Sequence, residues 1–385
     1  MLSITTAIFL SLMGSALFHL IPESRLRMRM GWVVILSFSI VFAYYPVAAL
    51  CATGAAVLAW ILALLGQRHK LVQKYGAFSL IGILIIFSYQ DVMVATDVYS
   101  KTLLQFGMSF YILRLYLALR NSATRKQAIS LEQFLVIALF YPIFSAGPIC
   151  AQESFTRGPV QSQPLLTNYL LGFLRIGIGI FALHFLTDIV AQLTDPLLVV
   201  RKRLTDWHSM GPLVTYLVMV LNFTKLYANF VGYTEITIGL GLFFGFQIPE
   251  NFRYPFLSTN IQNFWQRWHL TLSKFITTHI YLPLMLTLRK PRLSMLLAFV
   301  LVGMWHQVSF QYLVWGVGHG SMLVAYATLS RAPGYAATVS RINPWLLNAL
   351  SWLLTMSLVS FFSTFANEPS LAQSMAFTQS LVPGW

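Results

Sequence analysis

Twenty consecutive residues, GWVVILSFSIVFAYYPVAAL (31–50), contain no charged side chain. A second run, LLTNYLLGFLRIGIGIFALHFL (165–186), is predominantly apolar and contains a single charged residue, Arg175, and one histidine, His184. A membrane-crossing helix needs about 20 predominantly apolar residues, and both stretches supply them. Composition agrees: the chain is 57% hydrophobic and 9% charged, whereas a soluble chain carries about 25% charged residues. Too little polar surface exists to cover a soluble fold. The expectation is an all-α polytopic membrane protein.

The net charge of +14 does not point to nucleic acid, because the basic residues form no stripe or tail on a soluble module. They gather between apolar runs instead: Arg25, Arg27 and Arg29; Arg68, His69, Lys70 and Lys74; Arg120, Arg125 and Lys126; Arg201, Lys202 and Arg203; Arg289, Lys290 and Arg292. This is the bias of cytoplasmic loops. The segment QDVMVATDVYSK (90–101), with Asp91 and Asp97, is assigned to the opposite side. Run 1–20 has no basic residue before it and three soon after, so it is expected to be a retained first helix with its N-terminus outside. Cys51 and Cys150 stand 99 positions apart without a partner motif, which supports neither a disulfide framework nor a thiolate metal site.

About ten or eleven membrane-associated helices are expected, the clearest at 2–19, 31–49, 50–66, 77–90, 102–119, 131–148, 166–187, 212–230, 293–305, 310–329 and 344–364. Neither a repeat nor a linker divides them, so residues 1–385 read as one membrane-embedded domain. Segment 246–292 differs: it is aromatic, polar and interrupted by Pro249 and Pro255. A helix from about Asn260 would gather Trp265, Trp268, Leu272 and Ile276 on one face, with Arg267 and Lys274 on the other.

Titratable groups in apolar surroundings are the candidates for chemistry. His306, in LVGMWHQVSF, lies fourteen residues past Arg292, about 21 Å along a helix. A histidine at that depth either donates one hydrogen bond across a helix interface or works as a general base. His269 lies among tryptophans, where packing and function are both open. His319, in WGVGHG, is assigned to close helix packing with a hydrogen bond. His184 and Asp188 have the i,i+4 spacing of a helix-face pair. GLGLFFG (239–245) has neither the preceding strand nor the lysine of a nucleotide loop, so Gly241 and Gly245 are assigned to close helix contact. Glu235, flanked by apolar residues and by Tyr233 and Thr234, must be paired, neutral or water-facing.

Taken in order, several segments resemble the membrane-bound O-acyltransferase (MBOAT) family. NFWQRWHLTLSKFITTHIYLPL (263–284) is similar to its FW-x-RWH-x-(S/T)-L-S segment. GMWHQ (303–307) resembles G-x-WHG, LVWGVGHG (313–320) resembles its continuation, and NFVGYTEITIGLGLFFGFQIPENFRYPF (229–256) resembles the upstream GY-(S/T)-D stretch. GMSFYILRLYLALR (107–120) and LFYPIFSAGPI (139–149) also fit. The resemblance covers about 105–365 and leans toward bacterial members that acylate envelope polymers, of the alginate O-acetylation or teichoic-acid D-alanyl transfer type.

The resemblance implies a helical bundle with a central tunnel and amphipathic or re-entrant segments in a bacterial inner membrane. It implies an acyl thioester co-substrate, on an acyl carrier protein or coenzyme A, with no bound cofactor or metal. His306 would be the central histidine and His269 the second one, with Asn263, Trp265, Arg267, Trp305, Gln307, Glu235 and Tyr233 along the substrate tunnel. Membrane lipids, a cytoplasmic acyl carrier protein and a periplasmic or extracellular transfer partner are the implied partners. Gln307 stands where the family carries glycine, Thr278-His279 where it carries Arg-Asp, and Glu235 where it carries an acid one methylene shorter. A proton-relaying transporter or flippase and a catalytically silent scaffold are the rival expectations.

Overall fold

The computed structural model describes residues 3–94, 107–125, 130–156, 165–194, 211–368 and 370–382. Expectations for 95–101, for Lys126 and for the basic cluster at 201–203 lie outside the described residues. Helix dominates these residues, with no strand among them. Five helical stretches are long and apolar enough to cross a membrane: Glu23–Tyr44, Pro46–Arg68, Leu165–Thr194, Gly211–Phe243 and Pro344–Asn367. Two shorter apolar helices, Ile4–Leu20 and Pro291–His306, join them. The chain is an all-α polytopic membrane protein.

The described residues group into two compact units. The first comprises Met1–Ile180 and Tyr233–Glu250, and the second Phe181–Gly232 and Asn251–Trp385. Helices α1 (Ile4–Leu20), α2 (Leu26–Tyr44), α3 (Pro46–Arg68), α4 (Lys70–Val94), α5 (Met108–Arg125), α6 (Leu131–Leu139), α7 (Glu153–Thr156) and α8 (Leu165–Ile180) belong to the first unit. Helix α9 (Gly211–Phe243) starts in the second unit and ends in the first.

Small residues set the packing of the first unit. Ala48, Ala49, Ala52, Ala56, Ala59 and Ala63 form a buried stripe on α3, and α2, α4, α5 and α6 pack against this helix. Without bulky side chains the backbones approach closely, which replaces the hydrophobic drive that lipid removes. On α1 the buried residues are Ser11, Gly14, Ser15 and Phe18, and Trp32 Nε1 donates to the Gly14 carbonyl at 2.8 Å. Ser11 bonds the Tyr141 hydroxyl. The fully buried Arg114 donates to the Ile143 carbonyl at 2.8 Å.

Several helices differ from the sequence reading: those expected at 31–49, 50–66 and 77–90 run Leu26–Tyr44, Pro46–Arg68 and Lys70–Val94, and two others differ more. The run expected at 131–148 stops at Leu139 and gives way to a short 3₁₀ turn, Tyr141–Ile143, because Pro142 cannot continue an α-helix. The run expected at 212–230 continues to Phe243. There Gly239 meets the Gly172 carbonyl so closely that an added Cβ would lie 2.6 Å from it. Gly241 also makes a close approach, to Ile248. Gly245 does not: it has φ +71° and open space around it, and Phe246 N–H bonds back to the Gly241 carbonyl. It caps the helix in the left-handed conformation glycine tolerates.

In the second unit, Phe181–Leu186 is a π-helical insertion, which shifts the i,i+4 register. No ion pair joins His184 and Asp188 among the described residues. Helices α10 (Ile261–Trp265), α11 (Leu270–Ile276) and α12 (Leu282–Leu288) precede a tight hairpin of α13 (Pro291–His306) and α14 (Phe310–Leu329). Helices α15 (Tyr335–Val339), α16 (Pro344–Asn367) and α17 (Leu371–Gln379) complete it. Helix α16 packs on α14. Tyr216 on α9 bonds Ser357 on α16 at 2.8 Å, and Thr215 bonds Ser380 at 3.1 Å.

Candidate active site

The site is built on the α13–α14 hairpin. Glycines bring its two backbones together: a Cβ at Gly316 would lie 2.6 Å from the Phe299 carbonyl oxygen, and one at Gly303 would collide with the Tyr312 carbonyl. Helix α13 ends at His306, Gln307 takes an extended backbone, and Ser309 caps α14 by accepting from Tyr312 N–H at 3.4 Å. His306 therefore sits at a helix end, one turn from Gly303.

His306 is exposed as a residue, as is Gln307. The imidazole lies 4.7 Å from the Trp305 ring, nearly parallel to Tyr312 at 5.7 Å and edge-on to Trp315 at 5.5 Å. Trp315 continues the wall to His319 at 4.6 Å and to Trp265 at 5.9 Å. Trp265 also meets His319 at 5.4 Å and Phe299 at 4.8 Å. The Gln307 amide makes no hydrogen bond to a described residue.

His269 belongs to the same unit as His306. Its ring is buried, edge-on to Phe230 at 4.8 Å. The continuous helix expected from Asn260 is broken here. Asn260 caps α10 by accepting from Asn263 N–H at 2.7 Å, and the helix ends at Trp265. His269 then takes φ 45° and ψ 55° before α11 begins. The cause is a segment sixteen or more residues upstream. Asn251, wholly buried, accepts the Leu270 N–H on its carbonyl at 2.9 Å, and its side-chain oxygen accepts the Thr271 hydroxyl at 2.7 Å. Arg253 N–H donates to the Arg267 carbonyl at 2.9 Å. These bonds supply from afar what an N-cap supplies locally.

The four residues expected on one helix face, Trp265, Trp268, Leu272 and Ile276, are all buried but divided between two helices and the turn joining them, while Lys274 is exposed and Arg267 is half-buried with Nη1 on the Arg253 carbonyl at 3.4 Å. Asn263 is half-buried on α10. Trp268 packs between Phe223, Phe252 and Phe264 at 5.1–5.5 Å.

Several buried nitrogens on this wall lack a hydrogen-bond partner among the described residues: His269 Nδ1, Trp265 Nε1, and both ring nitrogens of His319. The packing role assigned to His319 is met by its Trp265 and Trp315 contacts, while the expected hydrogen bond is absent among the described residues. An unpartnered buried polar group costs about 1–3 kcal/mol, so this concentration favours a polar occupant beside the wall.

Glu235 and Tyr233 belong to the first unit, with their groups engaged there. Arg175 Nη1 donates to both Glu235 carboxylate oxygens at 2.9 and 2.8 Å, and the same guanidinium pairs with Glu250. The Tyr233 hydroxyl contacts Ser145 Oγ at 3.0 Å and donates to the Pro142 carbonyl at 3.1 Å. The wall residues Tyr312, Trp315 and Phe230 were not singled out from sequence, because an aromatic residue in an apolar helix carries no signal of what it faces. Among the described residues, no three His, Cys, Asp or Glu side chains gather as metal ligands.

The sequence model of the family described as MBOAT, membrane-bound O-acyltransferase family, matches residues 30–366. The chain is 28% identical over 263 residues to a peptidoglycan O-acetyltransferase of Helicobacter pylori, covering 66% of this chain and 47% of that one. It is 29% identical over 295 residues to a probable alginate O-acetylase of Pseudomonas aeruginosa, covering 74% and 52%. A teichoic acid D-alanyltransferase of Bacillus subtilis is 26% identical over 217 residues, covering 52% and 53%. The chain spans about half the length of these curated relatives. With both histidine segments inside the matched residues, the chain belongs to the membrane-bound O-acyltransferase family.

Proposed function

We propose that this protein transfers an acyl group from a thioester donor to a hydroxyl of a cell-envelope polymer, with His306 as the base. The observation that carries the proposal is the placement of His306, an exposed residue at the end of α13, against a wall of aromatic rings and unpartnered buried nitrogens. In this reading His306 takes the proton of the acceptor hydroxyl as its oxygen attacks the thioester carbonyl. The tetrahedral intermediate collapses, the carbon–sulfur bond breaks, and the imidazolium returns its proton to the departing thiolate. A positioned base contributes about 10²–10⁴ in rate. The open carbonyls at a helix C-terminus carry partial negative charge, which stabilises the transient imidazolium.

His269 and Trp265 orient the donor carbonyl, and Asn263, Arg267, Trp305 and Gln307 line the approach through a tunnel. The donor arrives from the cytoplasmic face of an inner membrane on an acyl carrier protein or coenzyme A, drawn by basic loops such as Arg289, Lys290 and Arg292. An acidic carrier would be steered by these charges. A periplasmic or extracellular partner receives or passes on the acyl group. The relatives' names, acting on peptidoglycan, alginate and teichoic acid, support an envelope polymer as acceptor.

Purified protein in proteoliposomes, supplied with labelled acyl thioester inside and polymer outside, tests the assignment. Transfer by the wild type and its loss in His306→Ala are expected. Equal transfer by both proteins removes His306 as base, and histidine-dependent solute flux without transfer favours a transporter. No transfer by either, with a bound partner enzyme active only in its presence, favours a scaffold, for which Gln307 is the specific argument.

A further inference from the structure

A cavity of about 250 Å³ opens in the first unit, away from the histidine wall in sequence and in unit. Phe18, His19, Glu23, Arg29, Asn168 and Phe246 are among its lining residues. Four helix ends meet there: the C-termini of α1 and α9, and the N-termini of α2 and α8. Three of these helices belong to stretches long and apolar enough to cross a membrane. The ends of such helices lie at headgroup depth.

Arg29 is the charged group of interest. It is buried to 8% exposure, its Nε donates to the Ile21 carbonyl at 2.8 Å, and its guanidinium lies 5.0 Å over the Phe18 ring. Its one carboxylate contact is long: Nη1 reaches Glu23 at 3.4 Å, and the Glu23 side chain is 76% exposed. Nη2 donates to no described residue. A buried cation held in place, paired at long range to an exposed carboxylate and with Nη2 uncommitted among the described residues, is suited to receive an anion.

Two of the helices that line the cavity also carry exposed apolar side chains. Leu17 and Leu20 on α1, and Leu166 and Leu170 on α8, are all exposed. The two helices are neighbours, joined by Ser15 and Tyr169 at 2.8 Å. A charged niche at headgroup depth, on paired helices that also carry exposed leucines, has the two-part chemistry of a glycerophospholipid.

From this we infer that the first unit holds a membrane phospholipid, with its phosphodiester on Arg29 and its acyl chains along the exposed leucines of α1 and α8. Glu23 competes with the phosphate for the same guanidinium.

Protein in mild detergent, titrated with dioleoylphosphatidylglycerol, dioleoylglycerol or inorganic phosphate, tests this by native mass spectrometry and thermal stability. The phospholipid should be retained and should raise the melting temperature, whereas the two fragments should do neither. Arg29→Gln should weaken retention about tenfold or more, the loss expected of a charge-assisted hydrogen bond. Glu23→Gln, a change at an exposed side chain, should tighten it. Equal stabilisation by dioleoylglycerol would overturn the phosphate assignment, and equal stabilisation by inorganic phosphate the lipid. Weaker retention in Glu23→Gln would show that the Arg29–Glu23 pair is structural. Both the lipid comparison and Glu23→Gln remain decisive if Arg29→Gln does not fold.

Discussion

Replacing Gly316 by alanine should move the candidate base without touching it. An added Cβ would sit 2.6 Å from the Phe299 carbonyl oxygen and 3.1 Å from Val300 Cα, where ordinary contact begins at 3.4 Å. Both obstacles are backbone, so no side-chain rotation relieves them. The hairpin must open by about 0.8 Å at this level, a small overpacking that costs about 1–3 kcal/mol. His306 closes the helix whose backbone is displaced, and a shift near 1 Å at a reacting group costs about 10²-fold in rate. Gly316→Ala should therefore lower proteoliposome transfer by about one to two orders of magnitude while leaving most protein folded. Gly177→Ala is the control: nothing lies within 4 Å of that Cβ, and a helical glycine replaced by alanine gains about 0.5–1 kcal/mol. Wild-type transfer in Gly316→Ala, with an unchanged melting temperature, would refute the claim that close glycine packing sets the His306 position.

Other expectations follow from single contacts. Asn251→Ala removes the side-chain part of the distant cap, the Oδ1 acceptor of Thr271, while the backbone bond to Leu270 remains, and should cost about 1–2 kcal/mol, read as a lower melting temperature; an unchanged value would mean the backbone bonds alone hold the start of α11. At His269, whose φ is 45°, asparagine should be tolerated far better than valine, because β-branched side chains avoid the left-handed region. Equal stability of the two variants would contradict that backbone requirement. Glu235→Leu should destabilise more than the double change with Arg175→Met, since the single variant leaves the guanidinium short of a partner; a double-mutant cycle with no coupling would show that Glu250 alone suffices.

The candidate site was only partly legible in advance. The RWH and WHQ segments identify His269 and His306 because a titratable ring in an apolar run needs a reason to be there. Helical spacing placed Trp265, Trp268, Leu272 and Ile276 on one helix face; all four are buried, but the break at His269 divides them between two helices and the turn joining them. Glu235 illustrates the opposite case. Sequence required a paired, neutral or water-facing carboxylate, and nothing in its surroundings named Arg175, sixty positions away.

What sequence determined is where the long apolar helices lie along the chain, with limits matched closely only toward the C-terminus. Apolar length demands helices in lipid, and prolines start three of them, at Pro46, Pro291 and Pro344, where a missing N–H costs nothing. Tertiary structure decided where helix gives way to something else. The left-handed backbone at His269 depends on Asn251 and Arg253 reaching it from outside the helix. Likewise, which glycines mark close contacts and which cap a helix depends on the opposing backbone. Gly316 and Gly245 are the same residue in sequence, and only the neighbour across the interface gives them different work.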